Sequence, residues 1–338
     1  MWRVAATAVT VAALSAGVPA QTLPEGDTGI AAKYPGDRGI EKHGAVVFVE
    51  KFNERSLNGL FNRWQDVKER EGMSFSRDVP EGSGDGRSLL TTHIGGRGTG
   101  SYLTHYLKGY TQLYARWYVK FDPKCNPIHH FGPSLAAKNP LKPYGGGHAG
   151  ERPPGDQHAH ASLEPHGRSW TWGFYSYWHE MRPCPPRGQY FGNVFTWGVP
   201  GKEVVRDKWI CVEIMMKMND PVGEHNGELA FWLDGKLIRH QGKVVSHLGK
   251  GFPTGRWTHD KFCPDTGGQP FEGFQWRTTE NMRILHVKTG VYITTAPRGY
   301  VSKIWFDNLV VAKEYIGPLA TKKSSGPPGR TFVSPPGW

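Results

Sequence analysis

The chain has 338 residues, with 44 Gly, 26 Pro, 13 Trp, 13 Tyr and 16 Phe, and its 41 Lys and Arg against 30 Asp and Glu give a formal charge of +11. So many turn formers beside so few charges exclude a coiled coil or long-helix protein. The wealth of aromatic side chains excludes wholesale disorder, because enough apolar surface is present to bury a core. A turn-rich, aromatic-rich chain of this length reads as one large all-β sandwich or barrel.

The N-terminus reads as an export signal. Arg3 is followed by the small apolar run Val4 to Val18, and Val18-Pro19-Ala20 before Gln21 suits signal cleavage. Residues 1–20 are therefore expected to be a signal peptide, and the mature chain to be secreted, extracellular or periplasmic. No second apolar run reaches the length of a membrane span, so no membrane partner is expected. Losing residues 1–20 removes only Arg3, leaving about +10 by the same count. No run of Lys and Arg exceeds two and no nucleic-acid motif is present, which argues against nucleic acid. An acidic polysaccharide is the better partner, although the charge could also serve solubility alone. Cys125, Cys184, Cys211 and Cys263 form no CxxC and lack zinc-cluster spacing. In an exported chain they allow up to two disulfides, with three connectivities, or buried free thiols.

Residues 21–43 are polar and rich in turn formers, and read as a leader draped on the surface. The main domain covers 44–318, starting with the strand GAVVFVEKF at 44–52. One short helix is expected around Trp64, turns over 80–100, and a long irregular segment over 122–156. A further irregular stretch covers 241–280, and 319–338 reads as a flexible tail.

Between these segments the apolar residues alternate with period two, the mark of half-buried strands. In 112–121, Leu113, Ala115, Trp117, Val119 and Phe121 share one face and Tyr114, Arg116, Tyr118 and Lys120 the other. In 157–163, Ala159, Ala161 and Leu163 oppose His158, His160 and Ser162. In 172–179, Trp172, Phe174 and Trp178 oppose Tyr175, Tyr177 and His179. In 284–294, Leu285, Val287, Val291 and Ile293 oppose His286, Lys288 and Tyr292. Four strands thus pair an apolar face with one of imidazoles, phenols and cations, which suits a groove that stacks sugars and binds carboxylates. In 209–218, Ile210, Val212, Ile214, Met216 and Met218 form a core face, Asp234-Gly235 marks a hairpin, and 302–312 reads as the last strand.

The segments WICVEIMMKMN, NGELAFWLDGKLI and KIWFDNLVVA resemble the concanavalin-like jelly roll of laminarinases, lectins and lyases. LYARWYVKFD, the HFGPSL…YGGG loop, HAHASLEP, WGFYSY and LHVKTGVY resemble the alginate- and glucuronan-type polysaccharide lyases of that fold, especially the family-14-like group. The likeness covers roughly residues 86–317. It implies an all-β, two-sheet antiparallel jelly-roll sandwich (concanavalin/laminin-G-like) with long loops, and extracellular cleavage of a uronic-acid polymer by β-elimination. No cofactor is expected to be required, a structural calcium ion is common in such sandwiches, and a monomer is expected. Tyr175-Ser176-Tyr177 matches the family's Tyr-x-Tyr, while His130 stands where the family has a Lys. His158-Ala159-His160 stands where it has Ser-x-Arg, and His286-Val287-Lys288-Thr289-Gly290-Val291-Tyr292 matches its Tyr-x-Lys-x-Gly-x-Tyr but for the first residue.

β-Elimination needs a cation on the carboxylate, a base for the C5 proton and an acid for the leaving oxygen. His158 or His160 is the expected base and Tyr177 or Tyr175 the expected acid, with Arg116 and Lys288 on the carboxylate. Tyr114, Tyr118, His130, His286 and Tyr292 complete the expected substrate-binding set. Other readings stay open. Tyr175 and Tyr177 could simply stack sugars. His158 and His160 could hold a metal with His130 or His148, though no metal is expected. Arg116 could pair with Glu213, and Lys288 could be solvated. Glu164 alone carries no assignment. A laminarinase-type hydrolase would need Glu-x-Asp-x-Glu on one strand, which is absent, so the main alternative is a non-catalytic lectin-like jelly roll.

Overall fold

The computed structural model describes residues 23–84, 86–145, 148–166, 170–183, 188–195, 203–242, 256–258, 261–263 and 273–320. The expected signal peptide, residues 321–338 of the expected tail and Cys184 lie outside them. The first sheet orders β13 (Lys236–Gln241), β12 (Glu228–Leu233), β11 (Ile210–Lys217), β6 (Gln112–Phe121), β17 (Val301–Ala312), β4 (Ser88–Ile94) and β3 (Met73–Ser76). A further strand, β1 (Val46–Glu50), pairs with the end of β17. The second sheet orders β14 (Arg256–Thr258), β15 (Lys261–Cys263), β10 (Asn193–Phe195), β9 (Thr171–Tyr177), β8 (His158–His166), β7 (His130–Lys138), β16 (Arg283–Tyr292), β5 (Tyr102–Tyr110) and β2 (Asp66–Lys68). The strands of both sheets pair antiparallel, except that β10 meets β15 in parallel through Val194 and Lys261. The chain is the expected two-sheet jelly-roll sandwich. No helix among the described residues is long and apolar enough to cross a membrane.

The alternating residues explain the stacking. Leu113, Ala115, Trp117, Val119 and Phe121 of β6 enter one continuous core with Ala159, Ala161 and Leu163 of β8 and Trp172 and Phe174 of β9. Ile210, Val212, Ile214 and Met216 of β11 join them. Each fully buried large apolar side chain contributes about 1.5–3 kcal/mol, and their number makes this core the main source of stability. Asp234 and Gly235, both at positive φ, close the β12–β13 hairpin. On β16 the expected register holds from Val287 onward but not before. A β-bulge between Ile284 and His286 puts Ile284, rather than Leu285, into the core.

Other expectations need correction. The helix α1 covers Leu57–Phe61, started by Ser56 Oγ accepting from the Gly59 N–H at 3.1 Å, and stops short of Trp64. Trp64 instead enters the core and donates its indole N–H to Glu50. The segment 122–156 is not wholly irregular, since β7 lies within it. Cys125 and Cys211 are buried free thiols, so two disulfides do not form; the side chains of Cys184 and Cys263 lie outside the described residues.

The segment 23–43 does more than drape. It packs on the outer face of the first sheet as short 3-10 turns, burying Ile30, Ala31 and Ile40 against Tyr114, Met215, Trp232 and Val310. This second core caps the face of β6 that carries Tyr114, Arg116 and Tyr118. The segment after β17 closes over the same face: the Ile316 and Gly317 N–H groups donate to the two carboxylate oxygens of Glu213 at 2.8 and 2.9 Å.

Candidate active site

The solvent face of the second sheet forms a groove of about 480 Å³. Strand register builds it in rows. One row runs Thr104, Lys288, Ser134, Ser162, Tyr175 across β5, β16, β7, β8 and β9. The next runs Tyr106, His286, Ala136, His160, Tyr177 over the same strands. Beyond it, Lys138 of β7 faces His158 of β8. The central strand β7 presents only Gly132, Ser134 and Ala136 between its terminal His130 and Lys138, so small residues make the floor and large ones the walls. Gly192 closes on Tyr175 so tightly that a Cβ there would lie 2.5 Å from the phenol ring.

The walls are stacked rings. Tyr144 lies on His158 (centroids 5.1 Å apart), His160 on Tyr177 (5.1 Å) and Tyr106 on His286 (4.4 Å). His130 meets Tyr175 at 4.9 Å and Tyr292 at 5.7 Å. His158 and His160 share a hydrogen bond, Nε2 to Nδ1, of 3.1 Å, and the Tyr175 and Tyr177 hydroxyls one of 3.3 Å. Ser162 donates to Glu164 Oε1 at 2.8 Å, and Glu164 Oε2 lies 3.4 Å from His130 Nδ1.

Two cations stand over aromatic rings. Lys288 Nζ sits 3.7 Å from the Tyr102 ring centroid, and Lys138 Nζ sits 5.7 Å from that of Tyr144, donating to the Tyr144 carbonyl at 3.0 Å. Among the described residues neither ammonium has a carboxylate partner within ion-pair distance. Burial lowers both: Lys138 falls to about 8, and Lys288 also falls, helped by Lys68 and opposed by Asp66 and Glu164. The imidazoles follow the same logic. Burial, then the charges of His130, Lys138 and Lys288, bring His160 down to about 3. Burial, then His160 and Lys138, hold His158 well below its ordinary value, and burial with Lys138 brings His286 to about 4. Burial and the neighbouring Tyr177 push the Tyr175 phenol far up, so it keeps its proton and can donate it.

The groove gathers His130, His158, His160, Tyr175, Tyr177, His286 and Lys288, with Tyr292 stacked at its His130 end. It does not include Arg116, Tyr114 or Tyr118. These lie on the outer face of the other sheet, because β6 turns its apolar residues inward and its polar face toward the 23–43 segment. Arg116 is fully buried and ion-paired to Asp37 rather than Glu213, and the Tyr118 hydroxyl accepts from the Leu319 N–H at 2.9 Å. Among the described residues no three His, Cys, Asp or Glu are arranged to hold a metal ion, and His148 pairs with Glu151.

Sequence reading missed Lys138, Tyr144, Glu164, Tyr102 and Tyr106. Three signals could have found four of them. HFGPSLAAK alternates His130, Gly132, Ser134, Ala136, Lys138 against Phe131 and Leu135, and YLTHYLKGY alternates Tyr102, Thr104, Tyr106 against Leu103. Continuing the β8 alternation two residues past Ser162 reaches Glu164.

No family model matches the chain, and no curated protein matches it. Solved structures do. The alginate lyase vAL-1 from Chlorella virus superposes with a TM-score of 0.52 at 13% identity, covering 80% of this chain and 100% of its own. The alginate lyase Aly36B superposes with a TM-score of 0.50 at 12% identity, covering 81% of this chain and 99% of its own. At such identity the likeness establishes the shared jelly-roll fold.

Proposed function

We propose that the chain is a secreted polysaccharide lyase that cleaves a uronate-containing polymer by β-elimination. The observation that carries the reading is the pair Lys138 and Lys288, desolvated on the groove face with no carboxylate partner among the described residues. Burying an ammonium without a counter-charge is costly, and a polyanionic ligand supplies that charge. The alginate lyases that share the fold support the same class of substrate.

A groove cation on the uronate carboxylate makes the C5 proton acidic, and Lys288 stands in the same row as Tyr175. A groove imidazole accepts that proton. The C–H pair forms the C4=C5 double bond, the C4–O4 bond breaks with its electrons on O4, and O4 takes a proton from Tyr175 or Tyr177. The rings of Tyr106, Tyr144 and Tyr177 offer faces for the neighbouring sugars.

The test is a panel of alginate, glucuronan, pectate, ulvan and glycosaminoglycans, followed by the ultraviolet absorbance of the 4,5-unsaturated uronate. Absorbance rising on at least one polymer is the expected result. Retention on a polymer column with no absorbance change on any of them would point to a lectin-like role instead.

A further inference from the structure

Two carboxylates line the groove, Asp66 on the edge strand β2 and the buried Glu164 of β8, and Glu164 is the anomaly. A carboxylate on a surface built for polyanions repels the ligand, yet this one sits on the floor, almost fully buried. Its two oxygens are committed: Oε1 accepts from Ser162 Oγ at 2.8 Å, and Oε2 lies 3.4 Å from His130 Nδ1. We propose that Glu164 is a positioning residue that sets His130 as the general base of the groove. The proposal rests on the lyase reading above and names the imidazole that reading leaves open.

A carboxylate on Nδ1 fixes the tautomer. The proton stays on Nδ1 toward Glu164, which leaves the Nε2 lone pair for the groove. Exposure fits this division, with 34% of the His130 side chain accessible against 3% for Glu164. When Nε2 takes the C5 proton, the imidazolium forms beside a negative charge already in place and held by Ser162. The other candidates lack that support. His158 and His160 bond to each other, no carboxylate contacts them among the described residues, and Lys138 stands nearby, so a proton arriving there meets positive charge.

The groups facing His130 are known on each side. Glu164 and Ser162 come from β8, Tyr175 from β9, Tyr292 from β16, and His129 stacks at 4.3 Å. Lys288 is the cation coupled to Glu164, and His160 is coupled to His130. Tyr175, whose ring lies 4.9 Å from that of His130, is the neighbouring acid. The balanced step moves the C5 proton to His130 Nε2, turns the C–H pair into the C4=C5 bond and breaks C4–O4. The Tyr175 proton goes to O4, and solvent relays the imidazolium proton back to the phenolate.

The experiment compares wild type, Glu164→Gln, Glu164→Asp and His130→Gln on the polymer that gives unsaturated product. Nitrogen NMR of the imidazoles, which reports their tautomers, is run in parallel at one pH. Losing the carboxylate should release the His130 tautomer, moving its ring nitrogen signals from the Nδ1–H form towards a mixture of the two neutral forms. The Glu164→Gln maximum should fall about tenfold or more, with partial recovery in Glu164→Asp. His130→Gln should cost about 100-fold or more in kcat. An active wild type whose kcat and His130 tautomer are both unmoved by Glu164→Gln overturns the base assignment alone. If Glu164→Gln does not fold, a His130→Gln enzyme that keeps wild-type kcat overturns it equally. A wild type inactive on every polymer removes the lyase reading, and the base with it.

Discussion

Arg116 Nη2 donates to both carboxylate oxygens of Asp37, at 2.8 and 2.7 Å, with both side chains fully buried. The pair ties the segment before β1 to the middle of β6, and Asn308 joins it through its carbonyl and its side-chain amide. Asp37→Ala leaves the guanidinium buried without its counter-charge. The expected loss is about 3–5 kcal/mol, read as a lower urea midpoint. The groove lies on the other sheet, so cleavage at low temperature should stay near wild type. An unchanged midpoint would show that the pair contributes little.

Lys138→Met and Lys288→Met should each weaken binding of an anionic polymer by about 10- to 100-fold, the scale of a lost charge-assisted contact. Both variants should also flatten the salt dependence of binding. Isothermal titration at two ionic strengths checks this. Wild-type affinity from either variant would indicate that these ammonium groups do not meet the ligand.

The depressed Lys138 pKa of about 8 has a sign that can be read directly. Above that pH the free groove loses this cation, so affinity for a polyanion should fall as pH rises past about 8. Lys138→Met should lack this step. A wild-type binding curve that is flat from pH 7 to well above 8 would contradict the assignment.

His160, brought to about 3 by burial, makes folding acid-sensitive. Its folded pKa lies below the unfolded value near 6.5, so the unfolded chain binds more protons between about 3 and 6.5. Its contribution is present above that window and lost as pH falls through it. Relative to His160→Gln, wild type should therefore lose more stability on acidification across this range. Parallel denaturation curves for the two proteins would show the mechanism absent.

Tyr175→Phe and Tyr177→Phe remove one hydroxyl each from the hydrogen-bonded pair while keeping the rings that stack on His130 and His160. Tyr175→Phe, which lacks the assigned acid, should lose about 100- to 10,000-fold in kcat with little change in KM. The other should lose far less. Two variants that both keep wild-type kcat would leave the tyrosines as sugar platforms.

Much of the sandwich was legible because period two is enforced wherever one strand face is buried. The inward residues of β6, β8, β9 and β11 and the Asp234-Gly235 hairpin follow from that alone. Alternation separates two faces but does not say what covers the outer one. Arg116 therefore looked like a groove cation, although the outer face of β6 is capped by the 23–43 segment. Lys138 and Tyr144 were hidden because Gly and Pro around β7 made 122–156 read as loop. Glu164 was passed over because its meaning depends on His130, 34 residues away and brought near only by strand pairing.

Cleavage of the preferred polyuronate in heavy-oxygen water, with oligosaccharide masses read by mass spectrometry, bears most directly on the chemistry. The groove geometry leads us to expect fragments whose masses sum to the parent chain, with an unsaturated sugar at each new non-reducing end and no heavy oxygen. Fragments that each time gain one water carrying the label would mean hydrolysis, and elimination would have to be abandoned.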